Sequence, residues 1–111
     1  MAYSTSNPPI CILRGGQYGG ALWLYDTTDT AATVDTAAYI SNAFTLGMKK
    51  GDLVIRTTWS ALPTAESDLK TAVGTAPTIS TTGFHKVMGI DPSTGSANLA
   101  DTTAITVTDT D

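Results

Sequence analysis

The hydrophobic and polar positions of the chain fall into short runs that predict strands. Ala21–Tyr25, Leu53–Trp59 and Phe84–Ile90 are rich in aliphatic and aromatic residues and are bounded by turn-forming residues, as strands usually are. Thr103–Thr108 alternates apolar and polar residues, which predicts a last, half-buried strand. These patterns indicate a mainly β protein.

A hairpin is predicted where the third strand ends. Asp91–Gly95 places Pro92 directly after the aspartate and a glycine at the end, which is typical of a type I turn closed by a bulge. Ser96–Ala100 is then the returning strand.

One stretch has helical spacing and predicts a single α-helix over about residues 36–46. Asp35 is a good N-cap, and Gly47 lies where a glycine with positive φ commonly ends a helix. The apolar positions that recur at helical spacing are Tyr39, Ile40, Ala43 and Phe44.

The predicted architecture is a small sandwich or partly closed barrel, with the helix covering an opening. Residues 60–82 contain two prolines, a glycine and many hydroxyl side chains, which predicts a long loop with one helical turn near Glu66–Ala72. With 111 residues the chain is expected to form one β-rich domain over residues 21–111, preceded by an extended arm over residues 1–20.

The predicted arm contains a short apolar run that has to be buried somewhere. Two prolines favour an extended backbone before it, and two glycine pairs follow it. The run either returns as an edge strand of its own domain or docks on a neighbouring molecule, and the second alternative makes it a partner-docking arm. Its residues are Pro8, Pro9, Ile10, Cys11, Ile12 and Leu13.

Composition and charge narrow the classes of partner. Charged residues are 14% of the chain and the formal net charge is −4, while threonine makes up roughly a fifth of the residues. Six basic residues without a basic stripe argue against nucleic acid and against an anionic membrane. The first residues lack the basic and apolar regions of a signal peptide, and the single cysteine fits synthesis in a reducing cytosol.

No group of residues predicts catalysis, a cofactor or a metal site. His85 is the only histidine and is expected to face outward from its strand, and Cys11 is expected to act as a small hydrophobic residue. Asp26, Asp29 and Asp35 do not have the spacing of an EF-hand loop, and the glycines at 15–20 lack the strand, lysine and helix of a nucleotide-binding loop. A non-enzymatic protein is therefore expected.

Several segments resemble small virion proteins of tailed bacteriophages. An aromatic strand at Leu22–Tyr25, a Thr-Val-Asp-Thr-Ala segment within Asp29–Ile40, a Lys-Lys-Gly-Asp turn within Met48–Val54 and the hairpin within Val87–Gly95 are similar to those of head-decoration (cement) and head-fibre proteins. The resemblance covers about 70% of the chain, leaves out the arm and the long loop, and rests on structural residues.

The resemblance implies a structural role on the virion. Such a protein is made in the host cytoplasm, binds the major capsid protein lattice on the outer surface of the capsid and stabilises it. A homotrimer is expected, because trimers fit the local three-fold positions of an icosahedral lattice. The alternative is a fibre or spike component that binds a host receptor or glycan, with Tyr18, Trp23 or Trp59 stacking on sugar rings.

Overall fold

The computed structural model describes residues 3–18 and 20–108, in which one mixed sheet of six strands carries a layer of irregular chain and two single-turn helices. The strands are β1 (Ile10–Leu13), β2 (Leu22–Thr27), β3 (Leu53–Trp59), β4 (Ile79–Ile90), β5 (Ala97–Leu99) and β6 (Thr103–Ile105). The helices are α1 (Ala31–Val34) and α2 (Ala43–Leu46), and Glu66–Lys70 forms a short 3₁₀ helix.

The sheet has the order β1-β2-β3-β4, and the long strand β4 then pairs with β6 along one half and with β5 along the other. Only β2 and β3 run parallel, while the other pairs are antiparallel. Parallel neighbours require a crossover connection, and residues 28–52 provide it and carry both helices. The mainly β prediction is confirmed, as a single mixed sheet that is not closed into a barrel.

Strand positions follow the sequence patterns closely. The bounds of β3 are those predicted, β2 lies over the predicted first strand, and the turn in the long loop is the 3₁₀ helix. The loop itself ends earlier than predicted, because β4 begins at Ile79 and pairs with β3 through threonines. The last strand ends at Ile105 rather than at Thr108.

The prediction of one helix over residues 36–46, capped by Asp35, is wrong. The N-cap of α1 is Thr30, whose hydroxyl accepts the N–H of Thr33, and Asp35 is the C-cap residue of that helix. Ala38 then adopts a φ of 61°, a left-handed conformation that interrupts a helix at this point. Tertiary contacts favour the break, because the N–H of Ala38 is donated to the side chain of Asn98, 2.6 Å away.

The end of the second helix is as predicted. Gly47 has a φ of 91°, and its N–H and that of Met48 are donated to the carbonyl of Ala43. A left-handed glycine that ends a helix in this way satisfies carbonyls that would otherwise lack a partner.

The hydrophobic core lies between the sheet and the crossover. Strand residues alternate in burial, so that one face of the sheet, here called the covered face, points into this core. The core consists of Trp23, Tyr25, Val54, Val87, Ala97 and Leu99 from the strands and of Val34, Tyr39, Ile40, Ala43 and Met48 from the crossover.

Candidate docking surface and the buried polar network

The residues predicted to form a docking arm lie at the edge of the domain's own sheet. Ile10–Leu13 is β1 and pairs antiparallel with β2, with a bulge at the position of Ile12. Pro9 is buried, and Pro8 and Cys11 are partly buried. The side chains of Ile10, Ile12 and Leu13 remain 59%, 49% and 63% exposed. The strand is therefore paired through its backbone while most of its apolar surface stays in solvent.

The side of the sheet opposite to the covered face is here called the open face. β1 forms the edge of an apolar surface on this face. Strand register places Ile10, Leu24, Ile55 and Phe84 side by side in one row across four strands. A second row contains Leu13, Leu22, Leu53 and Lys86. None of these side chains is buried, and Leu24 and Phe84 are more than one third exposed.

The open face becomes polar toward the carboxyl ends of β2 and β3. The third row contains Asp26, Thr57, Thr82 and Ile105. Asp26 accepts a hydrogen bond from the indole N–H of Trp59 at 3.0 Å and is exposed. The two apolar rows thus lie in the half of the open face that adjoins β1, and the third row is mainly polar.

The covered face contains a charged residue, which is the reverse of the usual distribution. Arg56 is 1% exposed, and its Nε–H is donated to Nε2 of His85 at 3.0 Å. Its other nitrogens donate to the hydroxyls of Thr58, Thr81 and Thr102, the last at 3.4 Å. All of these acceptors are neutral groups. The charge of the guanidinium is therefore stabilised by hydrogen bonds to dipoles and not by a direct ion pair.

His85 does not face outward as predicted but is buried beside Arg56. Because Nε2 accepts from Arg56, the proton resides on Nδ1, which is donated to the carbonyl of Ala100 at 2.8 Å. Burial is the main cause that lowers the pKa of His85, and the charge of Arg56 lowers it further. The Ala100 hydrogen bond and the charges of Asp35 and Asp101 oppose this change, but the net direction is downward. The imidazole is therefore a neutral structural acceptor at pH 7.

Three tyrosines attach the N-terminal segment to the core. The ring centroids of Tyr3 and Tyr39 are 5.5 Å apart, and those of Tyr25 and Tyr39 are 6.1 Å apart. Tyr39 donates to Asp29 at 2.5 Å and accepts from Tyr25 at 2.8 Å. Burial raises the pKa of all three phenols, that of Tyr3 to about 12, so they remain neutral donors.

Asp52 joins the end of the crossover to the beginning of β2. Its buried carboxylate accepts the backbone N–H groups of Gly20, Ala21 and Lys49 at 3.0 to 3.2 Å. It also accepts the indole N–H of Trp23 at 3.0 Å. Four donors on one carboxylate balance its burial without a cation.

The remaining sequence candidates are dispersed by the fold. Trp23 is in the core, and Trp59 is half-buried, so of the three proposed sugar-stacking residues only Tyr18 is exposed. Asp26 lies on the open face, Asp29 is buried with Tyr39, and Asp35 ends α1. In the described residues, no group of three or more His, Cys, Asp or Glu side chains is arranged to hold a metal ion.

Sequence reasoning missed Arg56 and its threonines as a group. The signal was present, because Val54, Arg56 and Thr58 occupy alternate positions of a strand whose inward side begins with valine. A charged residue that points into the core is rare unless its hydrogen-bond donors are satisfied. Here Thr81 of β4 and Thr102, directly before β6, supply two of the acceptors. Those acceptors are 25 and 46 residues away in the chain, beyond the range of any local pattern.

No helix within residues 3–18 and 20–108 is long and apolar enough to cross a membrane.

Comparison with known proteins gives no family for this chain. No family model matches the sequence, and no curated protein or solved structure shows significant similarity to it.

Proposed function

We propose that this chain is a structural virion protein that binds the outer surface of a bacteriophage capsid and stabilises it, as a decoration or cement protein. It would be made in the host cytoplasm and act on the capsid surface. The proposal rests on the resemblance described above and on one structural observation, the apolar half of the open face.

The open face supports binding to a protein surface. A sheet with one solvated face normally presents polar side chains on that face. Here the row formed by Ile10, Leu24, Ile55 and Phe84 presents aliphatic and aromatic groups instead. Sheets bury such a face against a second layer, and this chain places its own second layer on the opposite side. A partner protein is the layer that would complete it.

Among residues 3–18 and 20–108, no strand pairs with the outer edge of β1, and this edge adds a second means of contact. An edge strand presents backbone N–H and C=O groups that can pair with a strand of a partner. Each large apolar side chain that becomes fully buried contributes about 1.5–3 kcal/mol, and association costs part of that gain. Modest affinity per copy is sufficient on a lattice, because many copies bind at once.

Self-association as a homotrimer is part of the proposal. It follows from the low charge of the chain and from the three-fold positions of an icosahedral lattice. Sedimentation equilibrium of the free protein is expected to give the mass of a trimer, and a monomer both free and on the particle would contradict this part.

The direct test is rebinding to capsids from which the protein has been stripped. The wild-type chain is expected to bind at near-lattice stoichiometry and to raise the melting temperature of the capsid. Leu13→Asp is expected to abolish both effects, because it places a charge in the contact surface. Leu69→Asp is the matched control, since Leu69 is 60% exposed on the 3₁₀ helix and belongs to neither apolar row of the open face.

The same experiment separates the two candidate functions. If Leu13→Asp and Leu69→Asp both bind capsids like the wild type, the open face is not the docking surface. Binding to host cells or glycans by the isolated chain, without capsid binding, would favour the fibre or spike alternative.

A further inference from the structure

A second surface feature, separate from the apolar row of the open face, is a cleft of about 560 Å³ at one end of the sheet. Thr28 and Thr30 line it directly after β2, and Thr58 and Trp59 line it at the end of β3. The carboxyl ends of the two parallel strands therefore meet at this cleft. In open α/β sheets, ligands commonly bind in the crevice outside the carboxyl ends of parallel strands, and the parallel pair of this mixed sheet has the same local arrangement.

Arg56 lines the cleft and makes no direct ion pair with the described residues, although the charge of Asp35 acts on it from a longer distance. Within residues 3–18 and 20–108, no carboxylate oxygen lies within 4.0 Å of its guanidinium nitrogens. A buried charge is normally stabilised by an opposite charge or a full set of hydrogen bonds. Four neutral acceptors face the five N–H groups, and the contact with Thr102 is long at 3.4 Å.

Two threonines connect Arg56 to the cleft through hydrogen bonds. The hydroxyls of Thr81 and Thr102 accept N–H groups of Arg56, and both residues line the cleft. Each hydroxyl thus retains its own hydrogen for donation, and no acceptor for it is found among the described residues. The hydroxyl of Thr58, by contrast, already donates to the carbonyl of Asp29 at 2.7 Å.

The backbone leaves room for this arrangement at Gly83, which pairs with Arg56 across β3 and β4. A Cβ at Gly83 would lie 2.0 Å from Oγ1 of Thr102 and 3.0 Å from Nη2 of Arg56. The guanidinium and the Thr102 hydroxyl therefore occupy space that any other residue would fill.

We infer that this cleft binds a carboxylate group, which accepts the hydroxyls of Thr81 and Thr102 above the guanidinium of Arg56. The charge determines the class of anion, because the other residues that line the cleft are neutral. One positive charge matches a carboxylate better than a phosphate dianion, which the net charge of −4 would also repel. Ala31, Ala104 and Trp59 provide apolar contacts for the carbon atoms next to the carboxylate.

The carboxylate belongs either to a small free acid or to an acidic side chain of a partner protein. These two sources share the same chemistry and are distinguished by two probes. One probe is sodium propionate, compared with sodium chloride at equal ionic strength. The other is a short capped peptide with one glutamate, compared with the same peptide carrying glutamine.

Titration of the ¹⁵N-labelled protein followed by NMR is the test. A saturable shift of the Arg56 Nε–H and of the Thr81 and Thr102 amides is expected with one or both carboxylate probes. Thr81→Val and Thr102→Val, which keep the shape but remove the hydroxyl, are expected to weaken binding by about tenfold or more each. Thr103→Val is the matched control on β6, because Thr103 does not line the cleft, and it is expected to bind like the wild type.

Each outcome decides the inference. Saturation by propionate supports a free acid, and saturation by the glutamate peptide supports a partner side chain. The inference is overturned if neither probe differs from its control, if inorganic phosphate binds more tightly than propionate, or if both valine variants bind like Thr103→Val. Capsid binding is not used as a readout, so failure here leaves the proposed function untouched.

Discussion

Each face of the sheet carries some residues that are usually found on the opposite kind of face. The covered face buries Arg56, His85, Thr27 and Thr58 beside its apolar core, and Asp52 is buried directly before β3. The open face carries the apolar row of Ile10, Leu24, Ile55 and Phe84. The buried polar groups are tolerated because hydrogen bonds satisfy them from several strands. The exposed apolar groups have no such compensation within the described residues.

We therefore expect stability and association to depend on different faces of the sheet. Polar residues on the covered face are expected to determine stability, because each removal leaves donors or acceptors without partners. Apolar residues on the open face are expected to determine association, because they are accessible to a partner. Their removal is expected to change the stability of the isolated domain only slightly. The following predictions test this separation, from the largest expected effect to the smallest.

Asp52→Ala is expected to lower the free energy of unfolding by about 3–5 kcal/mol, because four buried or partly buried N–H donors lose their acceptor. Asp26→Ala is the matched control on the open face, since Asp26 also accepts an indole N–H at 3.0 Å but is exposed. Its loss is expected to be about 1 kcal/mol or less. Urea titration measures both, and equal losses would remove the distinction between the two faces.

Gly83→Ala is expected to cost about 1–3 kcal/mol, because the new Cβ collides with the Thr102 hydroxyl and crowds Arg56. Gly89→Ala, in the same strand, places its Cβ in open space and is expected to change stability by about 0.5 kcal/mol or less. Thermal melts of both variants check this pair. A harmless Gly83→Ala would mean that the guanidinium does not lie against this strand.

Acidification is expected to destabilise the covered face through His85. Its folded pKa is lowered, so its contribution is fully present above the unfolded value of about 6.5 and is lost as the pH falls below it. The slope is up to about 1.4 kcal/mol per pH unit for one proton. Asp68 and Asp91 also have lowered pKa values, but their effect begins near pH 4, so urea titrations between pH 7 and 5 isolate the histidine.

His85→Gln is the control for the pH prediction, because His85 is the only histidine of the chain. The variant is expected to be less stable at pH 7 and to lose the slope between pH 7 and 5. An unchanged slope in the variant would assign the pH dependence to other groups.

The sequence predicts the location of most strands, although not the start of β4 or the end of β6, and it does not predict the crossover. β3 and the hairpin after β4 are determined by local patterns, namely alternation and turn residues, and were predicted close to their observed bounds. The helix prediction failed because Ala38 is held in a left-handed conformation by Asn98, 60 residues away. A contact of that range overrides helix propensity and leaves no trace in a local window.

The candidate sites show the same limit. The apolar run Ile10–Leu13 was visible in the sequence, but its role as the edge of an apolar face depends on the register with β2 and β3. The cleft at Arg56 depends on a threonine of β3, a threonine of β4, Thr102 directly before β6 and a glycine, and none of these residue types signals a site by itself. Register and pairing order are properties of the whole sheet.

Ile10→Thr is expected to have the smallest effect on the isolated domain, a change of about 0.5 kcal/mol or less in the free energy of unfolding. Ile10 is 59% exposed, and threonine keeps the β-branched shape that suits a strand. Val54→Thr, on the covered face, is similarly conservative in shape but buries a hydroxyl in the core and is expected to cost about 1–3 kcal/mol. In urea titration, Val54→Thr is expected to lose more unfolding free energy than Ile10→Thr. In binding to stripped capsids, Ile10→Thr is expected to be the more impaired of the two. If Ile10→Thr is as destabilising as Val54→Thr, the open face belongs to the folding core, and its apolar row is not a surface kept for a partner.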